Sequence, residues 1–148
     1  MTEEGRKQAY ENLIKENVDA LVVIGGDGSF TGALVFNKEF GIPVMGIPGT
    51  IDNDINGTDF TIGFDTALNT VISSIDKIRD TASSHHRVFF VEVMGKDAGS
   101  LAIDSALGSA IATVLIPEEQ TDIFKLVEQI KSNRKNKKAQ TVLLGLFL

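Results

Sequence analysis

The 148 residues of this chain include 43% hydrophobic side chains and carry a formal net charge of −6 at pH 7. This hydrophobic fraction excludes a disordered chain, and the acidic balance argues against general nucleic-acid binding, which needs basic surface. Because the chain has no cysteine, no signal peptide and no apolar run of membrane-spanning length, we expect a soluble, cytoplasmic protein without disulfides or thiolate metal sites.

Short apolar runs alternate with longer amphipathic stretches along the chain. In chain order, the periodicity predicts helix 3–17, strand 19–24, helix 29–38, strand 44–47, helix 64–82, strand 88–93, helix 98–108, strand 113–116, helix 121–133 and strand 141–148. This alternation predicts parallel βαβ units and an α/β fold, with a parallel sheet in a Rossmann-like, three-layer arrangement.

Two local features add detail to these elements. Strand 19–24 is a short apolar run that ends at two glycines, which is typical of a parallel strand buried on both faces. Thr121 precedes an amphipathic segment and is the predicted N-cap of the last helix.

Three loops follow predicted strands, and they hold the most unusual local sequences of the chain. They come after Ile24, Ile47 and Val93. Ligands bind at the carboxyl ends of parallel strands in folds of this class. We therefore expect the functional site to be built from these loops.

The first loop, Gly25-Gly26-Asp27-Gly28-Ser29, leaves a strand and enters a helix. Glycines allow a sharp turn and a close approach to a ligand, and the N–H groups of a helix N-terminus bind phosphate. Asp27 can hold Mg²⁺ at the strand end, and Ser29 can cap the helix or contact a phosphate. A tight βα turn without a ligand is the structural alternative. The string is neither a Walker loop nor a dinucleotide-binding GxGxxG.

The second loop, Pro48–Asp54, contains two carboxylates two residues apart, Asp52 and Asp54. In an extended loop these side chains point the same way. One can accept the proton of an attacking hydroxyl while the other orients the substrate or assists with a metal, which suits phosphoryl transfer to an alcohol. An Asx-rich surface turn is the alternative. The position after a short buried strand, beside the glycine loop, favours the catalytic interpretation.

Basic side chains flank strand 88–93. Arg87 precedes the strand and can take a sugar phosphate bidentately. Lys96 follows the strand and either contacts phosphate or is simply solvated. His85 and His86 lack cysteine or further histidine partners, so a metal site there is not expected.

Four stretches of the chain together resemble the 6-phosphofructokinase family: residues 20–32, 46–66, 75–87 and 91–99. The two middle stretches are the most specific, because NAD kinases and diacylglycerol-type lipid kinases resemble the chain only at GGDG. The resemblance implies part of a phosphofructokinase fold. It also implies an enzyme of glycolysis that transfers a phosphoryl group from ATP to the 1-hydroxyl of fructose 6-phosphate and yields fructose 1,6-bisphosphate.

The resemblance implies roles in a nucleotide site. Gly26, Gly28 and Ser29 match the loop that binds the phosphates of ATP, and Asp27 matches the aspartate associated with Mg²⁺, the expected metal. Pyrophosphate-using relatives carry Asp in place of Gly28 and Lys in place of Gly49. Those side chains would fill the space of the α-phosphate and add a cation near the transferred group, so glycine at both positions resembles the ATP-dependent type.

The resemblance also implies roles on the sugar side. Asp52 matches the general base that takes the proton of the 1-hydroxyl. Thr50 and Asp54 match its neighbours in substrate and metal positioning, and Met94 and Gly95 match positions that contact the sugar.

Further implied contacts involve a partner copy. Arg87 matches an arginine that reaches the 6-phosphate across a subunit interface, since the family forms homotetramers. Lys96 stands where many bacterial relatives have Arg, which weakens bidentate phosphate contact. At the allosteric effector site Arg79 is retained, whereas Ala112 stands in place of a glutamate.

Both ends depart from the family pattern. An upstream glycine-rich GGDxPG loop and its arginine have no counterpart, and Phe147 stands where a sugar-binding glutamate is expected. We expect residues 1–63 to be part of an ATP-binding larger domain and residues 64–148 part of a smaller sugar-phosphate-binding domain, each incomplete. The isolated chain is expected to phosphorylate fructose 6-phosphate weakly or not at all. The alternative is an inactive, truncated chain that retains partial nucleotide or phosphate binding or self-associates.

Overall fold

The computed structural model describes residues 2–85, 87–95, 97–135 and 140–145, and helices and strands alternate along it. The elements are α1 (Glu3–Lys15), β1 (Leu21–Gly25), α2 (Asp27–Phe40), β2 (Val44–Pro48), α3 (Phe64–His85), β3 (Val88–Val93), α4 (Ser100–Gly108), β4 (Thr113–Leu115), α5 (Ile123–Lys135) and β5 (Gln140–Gly145). All strand pairs are parallel. The α/β prediction is therefore confirmed; the last three residues of predicted strand 141–148 lie outside the described residues.

The chain divides into two compact units. Unit 1 comprises the residues up to Thr50 together with Ile55–Thr58, and unit 2 comprises Ile51–Asp54 and the residues from Asp59 onwards. The assignment of 1–63 and 64–148 to a nucleotide domain and a sugar-phosphate domain stays a prediction.

Unit 1 is a two-stranded parallel sheet with two helices. The register pairs Leu21 with Val44 and Gly25 with Pro48, and α2 packs on both strands. An ion pair joins α1 to α2: Arg6 donates from Nε to Glu39 Oε2 over 2.6 Å. The hydrogen bond from Arg6 holds the pKa of Glu39 below its ordinary value.

One face of the sheet in unit 1 is apolar and exposed. Val22 and Ile24 are 64% and 68% exposed, and Met45, which pairs with Val22, is 67% exposed. The prediction that the first strand is buried on both faces is wrong for this chain, because α2 covers one face and no other described element covers the second.

Unit 2 is a three-stranded sheet with strand order β3-β5-β4. β5 lies between the other two, so its residues Val142 and Leu143 are almost fully buried. Helices α3 and α4 pack on this sheet, and Phe64, Ile75 and Leu101 supply large side chains to the core. Among the described residues, no helix is long and apolar enough to cross a membrane.

The starts of α2, α4 and α5 each differ from prediction by two residues, and the local capping explains two of them. Helix α2 begins at Asp27, not at residue 29, with Gly26 as its N-cap. Helix α5 begins at Ile123, because Asp122 Oδ1 accepts the N–H groups of Phe124 and Lys125 over 3.0 and 3.2 Å. The predicted N-cap, Thr121, is therefore wrong, and Asp122 takes that place.

Candidate active site

The two glycine-containing loops of unit 1 lie side by side. β1 and β2 are parallel neighbours whose last residues, Gly25 and Pro48, pair in register. The N–H of Gly49 donates to the carbonyl oxygen of Gly25 over 3.0 Å, which extends the pairing into the loops. Both loops therefore leave the same carboxyl edge of the sheet, where ligands bind in this fold class.

Close packing explains glycine at three positions in these loops. A Cβ on Gly25 would come within 2.6 Å of Ser29 Oγ, and one on Gly49 within 2.9 Å of Ile24 Cγ2. A Cβ on Gly26 would lie 3.2 Å from the Cβ of Thr50. The structure thus brings a predicted phosphate-loop residue, Gly26, against a predicted catalytic residue, Thr50.

The N-terminus of α2 carries the predicted phosphate-binding groups. Its N-cap, Gly26, has no side chain and makes no capping hydrogen bond, and the first N–H groups of a helix have no partner within the helix. A Cβ on Gly28 would meet no atom of the described residues within 4 Å, so open space adjoins the first turn. Ser29 is the third residue of the helix and packs against Gly25, so it is not the N-cap.

The fit to Mg²⁺ rests on Asp27 and on the kind of site that this metal uses. Asp27 is exposed at the first position of α2. In the described part of the chain, no three acidic or histidine side chains gather into a metal site. Mg²⁺ commonly binds one or two carboxylates together with substrate phosphates and water, and a single exposed Asp27 at a helix N-terminus fits that donor set.

The Asp52–Asp54 segment belongs to unit 2 and turns at its middle residue. Asn53 has a left-handed backbone, with φ of 55°, which Asn tolerates better than most residues. Its Oδ1 accepts the N–H of Thr61 over 2.8 Å, and its Nδ2 donates to the carbonyl oxygen of Asp59 over 3.4 Å. Asp52 is half-buried beside it and Asp54 is exposed. One carboxylate is thus shielded from solvent and the other faces it.

Met94 and Gly95 follow β3 and begin a tight turn. The N–H of Ala98 donates to the carbonyl oxygen of Gly95 over 2.8 Å, and a Cβ on Gly95 would collide with the carbonyl of Ala98. Gly99 ends the turn, and its N–H donates to Glu118 Oε1 over 2.7 Å. The Met94 side chain is 61% exposed, so it is accessible to a ligand at this strand end.

Arg87 lies at the other end of β3. Its N–H closes the C-terminus of α3 by donating to the carbonyl oxygen of Ala82 over 3.1 Å, and its side chain is exposed. Arg87 and Met94 flank the six residues of β3, so seven steps of roughly 3.3 Å place their Cα atoms about 23 Å apart. This chain therefore does not bring Arg87 to the strand end where Met94 and Gly95 lie. Lys96 is outside the described residues, as is His86.

Sequence reasoning gave no role to two residues that hold these loops, Asn53 in the second loop and Glu118 between β4 and α5. Each makes its contact with a residue distant in sequence, Thr61 or Gly99. An asparagine between two acids is a signal of a turn, and it could have indicated Asn53. No local signal indicates Glu118, because its partner lies 19 residues away.

Comparison with known proteins identifies the family of this chain. A family model described as Phosphofructokinase matches residues 1–145. The chain belongs to the phosphofructokinase family. The ATP-dependent 6-phosphofructokinase 2 of Bacteroides thetaiotaomicron is 57% identical over 145 residues, which are 97% of this chain and 44% of that protein. The ATP-dependent 6-phosphofructokinase 1 of Thermus thermophilus is 52% identical over 146 residues, which are 98% of this chain and 45% of that protein.

Solved phosphofructokinase structures share the fold. A structure of phosphofructokinase from Saccharomyces cerevisiae has a TM-score of 0.85 and 34% identity, and the match covers 97% of this chain and 23% of that one. A pyrophosphate-dependent phosphofructokinase from Nitrosospira multiformis has a TM-score of 0.83 and 24% identity over 95% of this chain and 39% of its own, a likeness of fold alone. The chain spans less than half the length of the bacterial relatives that it matches.

Proposed function

We propose that this chain supplies part of the active site of an ATP-dependent 6-phosphofructokinase. The reaction transfers the terminal phosphoryl group of ATP to the 1-hydroxyl of fructose 6-phosphate. The observation that carries this proposal is the hydrogen bond from Gly49 to Gly25, which sets the phosphate loop beside the loop that leads into Asp52.

In the proposed transfer, Asp52 accepts the proton of the 1-hydroxyl as its oxygen attacks the terminal phosphorus and the bond to the ADP oxygen breaks. The N–H groups at the start of α2 stabilise the charge on the phosphates. Asp27 holds Mg²⁺, which supplies positive charge to the phosphate oxygens when it is bound. Thr50 and Asp54 orient the reacting groups, and most of the acceleration comes from this positioning.

The donor that we propose is ATP, not pyrophosphate. The open space beside Gly28 leaves room for an α-phosphate. A side chain at Gly49 would displace Ile24, which a Cβ would approach to 2.9 Å. The two bacterial relatives are both named ATP-dependent.

On the sugar side, the residues that contact fructose 6-phosphate in this proposal are Met94, Gly95 and Lys96. Arg87 reaches the 6-phosphate of the substrate that a neighbouring copy binds in a homotetramer. The roughly 23 Å between the Cα atoms of Arg87 and Met94 in one chain support a contribution from a second copy. We place the enzyme in the cytoplasm, where glycolysis runs.

The alternative is a chain that self-associates without catalysis. The exposed apolar face of the sheet in unit 1 favours it, since exposed patches of this kind commonly mark association surfaces.

The test is a coupled assay with ATP, Mg²⁺ and fructose 6-phosphate on two proteins. One is the chain alone, which we expect to be weakly active or inactive. The other is a graft, in which residues 1–145 replace the matching segment of the Bacteroides thetaiotaomicron relative. We expect the graft to be active, and Asp52→Asn to lower its kcat about 10²- to 10⁴-fold, the usual contribution of a general base.

The matched control is Asp19→Asn, which removes an exposed carboxylate before β1 and should leave kcat unchanged. An inactive graft, or an Asp52→Asn graft with full kcat, would contradict the proposed function. Turnover by the chain alone that Asp52→Asn abolishes would contradict the expectation of weak activity.

A further inference from the structure

Asn53 is the residue between the two candidate catalytic carboxylates, and two independent features restrain it. Its backbone is left-handed, with φ of 55°. Its side chain makes two hydrogen bonds, from Thr61 N–H to Oδ1 over 2.8 Å and from Nδ2 to the carbonyl oxygen of Asp59 over 3.4 Å. The first of these bonds is well formed and the second is at the long limit, so the contact with Thr61 is the stronger restraint.

The contact with Thr61 connects the loop to the core of unit 2. Thr61 is only 3% exposed, and its carbonyl oxygen accepts the N–H of Phe64 over 3.2 Å. Phe64 is the first residue of α3 and a buried member of the hydrophobic core. Asn53 therefore ties the loop, through Thr61, to the buried start of α3.

Asn17 shows that a turn role alone does not explain these bonds. It has nearly the same backbone, with φ of 53°, at the end of α1. Its side chain is exposed, and no side-chain hydrogen bond of Asn17 is present among the described residues. Asn17 therefore has a left-handed backbone without side-chain hydrogen bonds among the described residues. The side-chain bonds of Asn53 do not follow from its backbone conformation alone.

We propose that Asn53 is a positioning residue that sets the directions of the Asp52 and Asp54 side chains for phosphoryl transfer. This inference rests on the proposed function. A left-handed residue turns the backbone between its neighbours, so the conformation of Asn53 affects the directions of both carboxylates. The two side-chain bonds hold that turn in one state, which is the preorganisation that transfer between bound substrates requires.

Three substitutions separate the two features. Asn53→Gly keeps the left-handed backbone at little cost and removes both side-chain bonds. Asn53→Asp keeps an acceptor for Thr61 N–H and removes the donor to Asp59. Asn53→Ala removes the bonds and adds backbone strain. Asn17→Gly and Asn17→Ala repeat the backbone changes at a site without these bonds.

The first measurement is amide hydrogen exchange of the chain alone. We expect Asn53→Gly to speed exchange at Thr61 about two- to tenfold, the value of one hydrogen bond, and Asn53→Asp to have a smaller effect. Exchange at Thr61 should be unchanged in Asn17→Gly. Equal rates at Thr61 in the unsubstituted chain and in Asn53→Gly would overturn the proposal, because the side chain would then restrain nothing.

The second measurement is the kinetics of the graft described above. We expect Asn53→Gly to lower kcat about 10- to 100-fold, the cost of a small misplacement of reacting groups. The KM for ATP should stay within about twofold, because the phosphate loop belongs to unit 1. Asn53→Asp should lower kcat less than Asn53→Gly does, and Asn17→Gly should leave kcat unchanged. A graft with Asn53→Gly and unchanged kcat would overturn the proposal, as would an equal rise in both KM values with no loss of kcat.

These two measurements separate the inference from the function on which it rests. An inactive unsubstituted graft would contradict the proposed function, and the exchange rates would still decide whether Asn53 restrains the loop. An active graft in which Asn53→Gly changes nothing would leave the function standing and refute the positioning role.

Discussion

At the scale of single residues, the glycines of the first loop differ in what they do. Gly25 lies where a side chain would collide with Ser29, whereas Gly28 lies beside open space. Glycine at position 25 is therefore required by packing within unit 1. Among the residues that the structure describes, none packs where a side chain at position 28 would lie, which is the result expected if the space beside Gly28 serves a ligand.

This difference predicts that alanine at position 25 destabilises the chain, whereas alanine at position 28 does not. Gly25→Ala should lower the free energy of unfolding of unit 1 by about 1–3 kcal/mol, the usual cost of overpacking. Gly28→Ala, its matched control, should leave it unchanged or raise it by up to about 1 kcal/mol, because alanine favours the helix. Urea denaturation followed by circular dichroism measures both. Equal destabilisation by the two alanines would contradict the packing argument.

At the scale of elements, a carboxylate links two segments that are distant in the sequence. Glu118, from the loop between β4 and α5, accepts the N–H of Gly99 at the start of α4 over 2.7 Å. A Cβ on Gly99 would lie 2.6 Å from Ile116 Cγ2 and 2.7 Å from Glu118 Oε2. Since negative charge at a helix N-terminus is favourable, this contact fixes the end of the turn that begins at Gly95.

Removal of this carboxylate should loosen the turn. We expect Glu118→Ala to lower the free energy of unfolding of unit 2 by about 1 kcal/mol, as the loss of a capping group does, and Glu118→Gln to lower it by less. Glu119→Ala, at the exposed neighbouring position, is the matched control. Thermal unfolding compares the three. The contact would be unimportant if Glu118→Ala and Glu119→Ala had the same melting temperature.

At the scale of the whole molecule, apolar surface in unit 1 is left exposed. Val22, Ile24 and Met45 form the uncovered face of the β1–β2 sheet. Parallel sheets are normally covered on both faces. The chain spans less than half the length of its bacterial relatives, and an uncovered face of this kind promotes association.

We therefore expect the isolated chain to self-associate through this face. Met45→Lys places a charge in its centre and should shift the chain toward the monomer in size-exclusion chromatography with light scattering. Met94→Lys, an equally exposed methionine in unit 2, is the control and should not. A chain that is monomeric at about 100 μM without any substitution would refute the expectation.

The element types could be predicted from sequence because periodicity is a local property. The positions of α3 and β3 follow from apolar spacing within each segment. The start of α5 could not, because both Thr121 and Asp122 are good N-caps and only the geometry of the hydrogen bonds to Phe124 and Lys125 selects Asp122.

For the candidate site, sequence reasoning identified the loops but not the hydrogen bonds that hold them in place. Gly26 and Thr50 were predicted separately, and the structure places them in contact. Asn53 was missed because its hydrogen bond is with Thr61, eight residues away. Which hydrogen-bond acceptor meets which N–H is decided by the folded backbone, and no local pattern encodes it.

By itself, the sequence determined the fold class, the resemblance to phosphofructokinases and the two loops at strand ends, since each depends on residues close together in the chain. Only the tertiary structure decided that β5 lies between β3 and β4 and that one face of the sheet in unit 1 is exposed. The physical reason is that strand pairing uses backbone groups common to every residue. The choice of neighbour is therefore made by the packing of distant segments.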